Sequence, residues 1–361
     1  MQLHGCSDPE LKAWMVEHGE KPFRVSQLLS WVYARGVTDW SRMTDFGQSL
    51  RQKCADSLSL SSLKQVRTLD SEDGETTKFL WALSDEKLVE SVLIRAPERR
   101  TVCVSSQVGC PARCAFCASG KEGLVRNLTA AEIVEQVYLI DQFLKKNNER
   151  VTHVVFMGMG EPLENYDAVV KAVRLLNDPL RMNLSQRRIT VSTVGIVEGI
   201  HKLADEGIKI SLVLSLHAPN QHIRKKIIPF ARKYALEDLL QAMQIFAGKT
   251  GRDITYEYTL LAGINDAPEH AEELAQLLKP QQCTINLIPY NPVQGLRLQR
   301  PEKEAIHAFR EILEEEGLNV TWRYTKGKDI AAACGQLALQ RSSGTGTFTN
   351  DRKTEEKLIP S

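Results

Sequence analysis

Apolar positions in the first part of the chain recur at helical spacing. Leu11, Trp14 and Met15 are followed by Val25, Leu28, Leu29, Val32 and Tyr33, the i, i+3, i+4 pattern of helices with one buried face. The reading is helical to about residue 68, and residues 1–75 are taken as a small accessory domain whose Trp14, Trp31 and Trp40 fill its core. Near Asp73-Gly74 the period changes to two. Thr77–Leu83 and Leu88–Ile94 are rich in β-formers and flank Ser84-Asp85-Glu86-Lys87, which predicts a β-hairpin within residues 76–100.

From Thr101 onward a β-rich run, a loop and an amphipathic helix alternate. The predicted strands are Thr101–Gln107, Val151–Met157, Arg188–Thr193, Ile208–Leu216, Ile254–Leu261 and Cys283–Tyr290. The helices that follow them begin at Thr129, Asp167, Val197, Leu236, Glu269 and Glu302, the first with a capping box from Thr129 to Glu132. Six such units argue for a parallel sheet with helical crossovers. Six falls short of the eight in a closed barrel, so the expected fold is α/β, a partial (β/α)6 barrel over residues 101–340. Leu318–Tyr324 reads as one further strand, and residues 341–361 as a disordered tail.

Bulk properties narrow the setting. No apolar run approaches the ~18 residues of a spanning helix, and Met1–Glu10 is polar, without the apolar core of a signal peptide. Eight cysteines in a chain of 361 residues with no export signal suit reduced, metal-binding or catalytic thiols in the cytoplasm better than disulfides. Net charge is only +1, so nucleic-acid contacts would have to come from local patches. Arg224-Lys225-Lys226, Arg232-Lys233, Arg187-Arg188 and the group Arg113, Lys121 and Arg126 are the basic clusters near βα loops. The Arg224 and Arg113 groups are the favoured phosphate contacts.

The chemistry gathers at Gln107–Cys117, Q-V-G-C-P-A-R-C-A-F-C. Cys110, Cys114 and Cys117 form a C-x3-C-x2-C triplet, and Gly109 and Pro111 favour a loop there. A four-iron cluster takes one thiolate per iron, so three would leave one iron open. A closed structural zinc site wants four ligands and would have to borrow Cys103 or a distant His. Elsewhere, Glu90 shares a strand face with Leu88, Val92 and Ile94, where a carboxylate is either solvated at an edge or paired. Cys6, Cys54 and Cys283 read as small buried residues.

The triplet at the end of a first barrel strand, with Phe116 before its last Cys, resembles the radical S-adenosylmethionine (SAM) superfamily. C-V-S-S-Q-V-G-C (103–110), F-M-G-M-G-E-P-L (156–163), R-R-I-T-V-S-T-V-G (187–195), S-L-H-A-P-N (215–220), N-L-I-P-Y-N-P (286–292) and A-A-C-G-Q-L (332–337) together resemble the RlmN/Cfr family of RNA methyltransferases, chiefly its adenine-C2 branch. The resemblance implies a [4Fe–4S] cluster on Cys110, Cys114 and Cys117. It implies SAM held by Gly160, Glu161, Ser192, Ser215, Leu216, His217 and Asn291, although a strand-end role for His217 stands beside that one. Cys334 would be the methylated cysteine, Cys103 its redox partner and Glu90 the proton acceptor. Two SAM molecules would be consumed per methyl group placed on C2 of adenosine in 23S rRNA or tRNA, with electrons from a donor such as flavodoxin and no membrane involved. Arg323–Lys326 and Ile227–Phe230 depart from the family pattern. The rival readings are methylation at adenine C8, as in Cfr-type enzymes, and a non-catalytic RNA-binding protein whose cysteines hold zinc.

Overall fold

A computed structural model describes residues 1–322 and 326–337. Helix α1 (Asp8–Glu17) opens on a capping box in which Ser7 and Glu10 satisfy each other's backbone amides. Helix α2 (Arg24–Leu29) runs into a π-turn at Ser30–Ala34, and α3 (Gln48–Ser57) follows. The apolar stripe read from the sequence is the buried one, with Leu11, Trp14, Met15, Leu28, Leu29 and Val32 all in the core.

This helical unit is seated on the first barrel helix, α4 (Ala130–Lys145). A Cβ on Gly5 would stand 2.9 Å from the Ala131 Cβ, so only glycine permits the approach. Buried Glu135 of α4 accepts hydrogen bonds from Ser61, Ser62 and the Leu63 amide. Arg181 donates to the Cys6 carbonyl at 2.8 Å and pairs with Asp8 at 3.0 Å.

One sheet of ten strands carries the rest. Strands β1 (Lys64–Asp70), β2 (Thr76–Ala82), β3 (Leu88–Ala96) and β4 (Arg99–Cys103) form an antiparallel meander. A small separate hairpin pairs β5 (Gln107–Gly109) with β6 (Leu124–Asn127). The main sheet continues in parallel from β4 through β7 (His153–Phe156), β8 (Ile189–Thr193), β9 (Ser211–Ser215), β10 (Ile254–Leu260), β11 (Cys283–Pro289) and β12 (Asn319–Trp322). Helices α4, α5 (Tyr166–Asn177), α6 (Val197–Asp205), α7 (Gln221–Ile227), α8 (Leu236–Thr250), α9 (Pro268–Leu278) and α10 (Lys303–Glu315) make the crossovers. Six βα units and a seventh parallel strand make a partial (β/α)6 barrel. Among the described residues, no helix is long and apolar enough to cross a membrane.

Three differences from the sequence reading have physical causes. Residues 64–70 are strand, not helix, and β1 is exposed along most of its length, so it carries no apolar period to read. The predicted strand Thr101–Gln107 breaks after Cys103. There the Gln136 side chain takes both the Ser105 amide (2.9 Å) and its carbonyl (3.0 Å), replacing ladder partners. The short helix α7 stands in the loop expected after β9, because the Asn220 side chain caps it, Oδ1 accepting from the Ile223 amide at 2.9 Å. Tyr324, the expected end of the last strand, Arg323 and Thr325, and the tail from Arg341 lie outside the described residues.

Candidate active site

The C-terminal ends of the parallel strands open on one cavity, where such folds place their chemistry. The loop after β4 wraps back on itself to present Cys110, Cys114 and Cys117. A Cβ on Gly109, whose φ is +76°, would lie 2.0 Å from the Gly123 carbonyl, so the wrap requires glycine there. All three thiols line the cavity. Burial pushes Cys110 up to about 12 and raises Cys114 and Cys117 as well, so metal binding must release protons. Among the described residues, no three His, Cys, Asp or Glu side chains converge as ligands of a single ion. Three thiolates spread around a cavity wall fit a cluster, which offers each a different iron.

Gly160, Glu161, Ser192, Ser215, His217 and Asn291 line the same cavity. Gly160, with φ +111°, passes so close to Ser106 and Gln107 that a Cβ would lie 2.7 Å from their side chains. Glu161 is 2% exposed, and burial raises its carboxyl to about 7 against the pull of three hydrogen bonds. Thr193 Oγ1 donates to it at 2.7 Å, the Val194 amide at 2.8 Å and the Leu163 amide at 3.0 Å. Of about four lone-pair directions on a carboxylate, these donors take three among the described residues, and the fourth suits a cation. Ser192 Oγ and Ser215 Oγ stand 3.2 Å apart on neighbouring strand ends.

Leu216 is fully buried and does not line the cavity; its backbone amide donates to the Glu257 carbonyl. His217 adopts φ +54°, and its Nδ1 accepts from the Thr259 amide at 2.9 Å. Burial, helped by Arg224, lowers its pKa to about 3. His217 is thus both a strand-end tie and a wall of the cavity.

Cys103 and Cys334 also line the cavity. The segment carrying Cys334 docks through the Gly335 carbonyl, which accepts from the Ala118 amide at 2.8 Å. Asn291 Nδ2 donates to the Cys334 carbonyl at 3.2 Å and Gln336 Nε2 to the Pro292 carbonyl at 2.9 Å. Ala332 and Leu337 pack with Val92, Cys103 and Met159. Cys334 itself is exposed and Cys103 buried. Glu90 is not among the residues that line the cavity; it is 5% exposed and paired with Lys78 at 3.2 Å, so the solvated-edge alternative is excluded.

The basic clusters do not behave alike. Arg224 is fully buried, donating to the carbonyls of Leu216, Ser215 and Val194. It cannot meet phosphate; it ties strand ends together. Lys225 and Lys226 beside it are exposed, as is Arg113. Arg126 is engaged by Asp85 and Glu132. The sequence reading missed Lys78, Thr193 and the buried, cavity-lining Glu257. For Lys78 a signal existed: a lone cation in an apolar strand, opposite the strand that carries a lone carboxylate.

The Radical SAM superfamily profile matches residues 104–278, and that of the ribosomal RNA large subunit methyltransferase N-terminal domain matches residues 1–60. A probable dual-specificity RNA methyltransferase RlmN 2 from Protochlamydia amoebophila is 62% identical over 93% of this chain and 94% of its own. The chain belongs to the RlmN family of radical SAM RNA methyltransferases. A probable dual-specificity RNA methyltransferase RlmN from Geobacillus kaustophilus is 47% identical over 95% of this chain and 94% of its own length. The crystal structure of a radical SAM methyltransferase from Sphaerobacter thermophilus superposes with a TM-score of 0.91 at 43% identity, covering 93% of this chain and 99% of that one. RlmN membership accounts for the helical unit and the barrel together.

Proposed function

We propose that this RlmN-family chain methylates C2 of adenosine in 23S rRNA and in tRNA, with the methyl carried on Cys334 before it reaches the base. One observation supports the reading above others: Cys103 and Cys334, far apart in sequence, line the cavity that also holds the cysteine triplet. Cys110, Cys114 and Cys117 would hold a [4Fe–4S] cluster, and Gly160, Glu161, Ser192, Ser215, His217 and Asn291 would hold SAM. When bound, cluster and SAM supply a 5′-deoxyadenosyl radical, with electrons from an external donor such as flavodoxin.

The remaining work falls to the chain. Cys334, as thiolate, takes a methyl from one SAM by displacement, a thiolate's ordinary nucleophilic task. Electron-poor adenine C2 does not attack an alkyl donor, but it accepts the S-methyl carbon once that carbon has lost a hydrogen atom to the deoxyadenosyl radical; the base, now joined to Cys334, gives up one electron to the external redox partner. Glu90 receives the C2 proton. Cys103 thiolate then attacks the Cys334 sulfur, the bond pair leaves with the CH2 carbon, which takes a proton to become the methyl group, and the disulfide left behind is reopened by cellular reductant. This last requirement suits a cytoplasmic location. Residues 1–75 are proposed as an RNA-contacting domain, and Arg113, Lys225 and Lys226 as phosphate contacts.

Nucleoside mass spectrometry of rRNA and tRNA from cells with and without the gene tests the reading. Loss of 2-methyladenosine from both pools is expected. Loss of 8-methyladenosine instead would replace C2 by C8, and no change in either would refute the proposal.

A further inference from the structure

Lys78 lies on β2 opposite Val92 of β3, and Val92 lies opposite Cys103 of β4. Directly paired residues share a sheet face, so Lys78, Val92 and Cys103 form one row beneath the segment that carries Cys334. Glu90, two residues from Val92, is on the same face. Lys78 is 8% exposed, and its ammonium lies 3.2 Å from Glu90 Oε1 and donates to the Ala331 carbonyl at 3.2 Å. We infer that Lys78 is a positioning residue that couples the Glu90 carboxylate to the backbone turn presenting Cys334. The inference deepens the proposed function and rests on the roles given there to Cys334 and Glu90.

Two features argue against a plain fold clamp. First, the segment is already fastened without Lys78. Lys326 Nζ reaches the Arg95 carbonyl (3.0 Å) and Glu75 (2.9 Å), the Glu72 amide donates to Asp329 (2.9 Å), and Asn291 and Gln336 hold the far end. Second, the carbonyl that Lys78 grips belongs to Ala331, whose φ is +50°. An alanine in the left-handed region costs roughly 1–2 kcal/mol and persists only where its surroundings enforce it. Three residues later comes Cys334. A buried ammonium is itself expensive unless paired and hydrogen-bonded. Here its pairing partner is the proposed proton acceptor, and its hydrogen-bond partner is the strained turn. Relaxing Ala331 would swing the following residues while both ends of the segment stay tied.

The test uses reconstituted full-length protein with SAM and unmodified RNA, following Cys334 methylation by peptide mass spectrometry and RNA–protein adduct on denaturing gels. Lys78→Met is expected to keep iron content and SAM affinity but to methylate Cys334 about tenfold more slowly, the rate equivalent of the strain released. Its adduct should also persist although Cys103 is present. Adding Ala331→Gly, which adopts a positive φ without strain, should recover much of the Cys334 methylation, and Lys78→Arg should stay near wild type. Should Lys78→Met fold poorly, Lys78→Arg still carries the comparison, and loss of Cys334 methylation in that folded variant would overturn the inference. If wild type methylates Cys334 and Lys78→Met matches it, or the double variant recovers nothing, the Lys78 inference is overturned alone. If wild type places no methyl on Cys334, the proposed function falls and this inference falls with it.

Discussion

Glu161 Oε2 accepts a hydrogen bond from the Val194 amide at 2.8 Å, joining the loops that follow β7 and β8. The carboxylate therefore shapes the cavity as well as charging it. Glu161→Ala is expected to weaken SAM binding roughly ten- to hundredfold, the size of a lost charge-assisted bond, with iron content intact. Equilibrium dialysis on cluster-replete protein measures this. Glu161→Gln removes the charge and turns an NH2 group towards a donor that now meets an oxygen, so it should not recover wild-type SAM binding.

The cysteines should separate into three behaviours. Replacing Cys110, Cys114 or Cys117 by Ala should abolish iron and sulfide binding in anaerobically reconstituted protein. Cys334→Ala should retain the cluster and form neither methylated enzyme nor product. Cys103→Ala should accumulate RNA joined to Cys334, visible as a shifted band on a denaturing gel.

Arg224 and its two neighbours make opposite predictions. Arg224→Met strips hydrogen bonds from one buried and two part-buried carbonyls, at roughly 1–3 kcal/mol for each buried group left unsatisfied, and should lower the melting midpoint. Lys225→Ala and Lys226→Ala should change stability by less than about 0.5 kcal/mol. They should instead weaken RNA binding and flatten its salt dependence.

His4 provides a pH test. It is buried, with Nδ1 2.8 Å from the Tyr33 hydroxyl and Nε2 3.2 Å from the Leu60 carbonyl, and burial lowers its pKa to about 4 from 6.5. Between those values the unfolded chain binds more protons than the folded one. Stability from neutral His4 is thus full above about pH 6.5 and is lost as pH falls towards 4. Melting curves across this window should show a decline that His4→Gln reduces.

The parallel sheet and the cysteine loop were legible because alternation, capping boxes and glycine punctuation are local signals. What escaped depended on partners distant in sequence. Nothing near Ser105 announces that Gln136 will take its backbone. Arg224-Lys225-Lys226 reads as a charge run, yet on α7 Arg224 turns inward with Ile223 and Ile227. Lys78 and Glu90 were each visible as misfits in their strands, but only the register between β2 and β3 makes them a pair.

The seat of the helical unit bears on the order in which the protein assembles during synthesis. Arg181, which grips Asp8 and the Cys6 carbonyl, follows Asp8 by 173 positions. At roughly 5–20 residues per second, its codon is read about ten to thirty seconds after that of Asp8. Helices α1–α3 are complete once Ser57 is added, before their platform on α4 and well before the guanidinium that fastens them is translated. The N-terminal unit must wait, folded or not, for a seat that the ribosome delivers late.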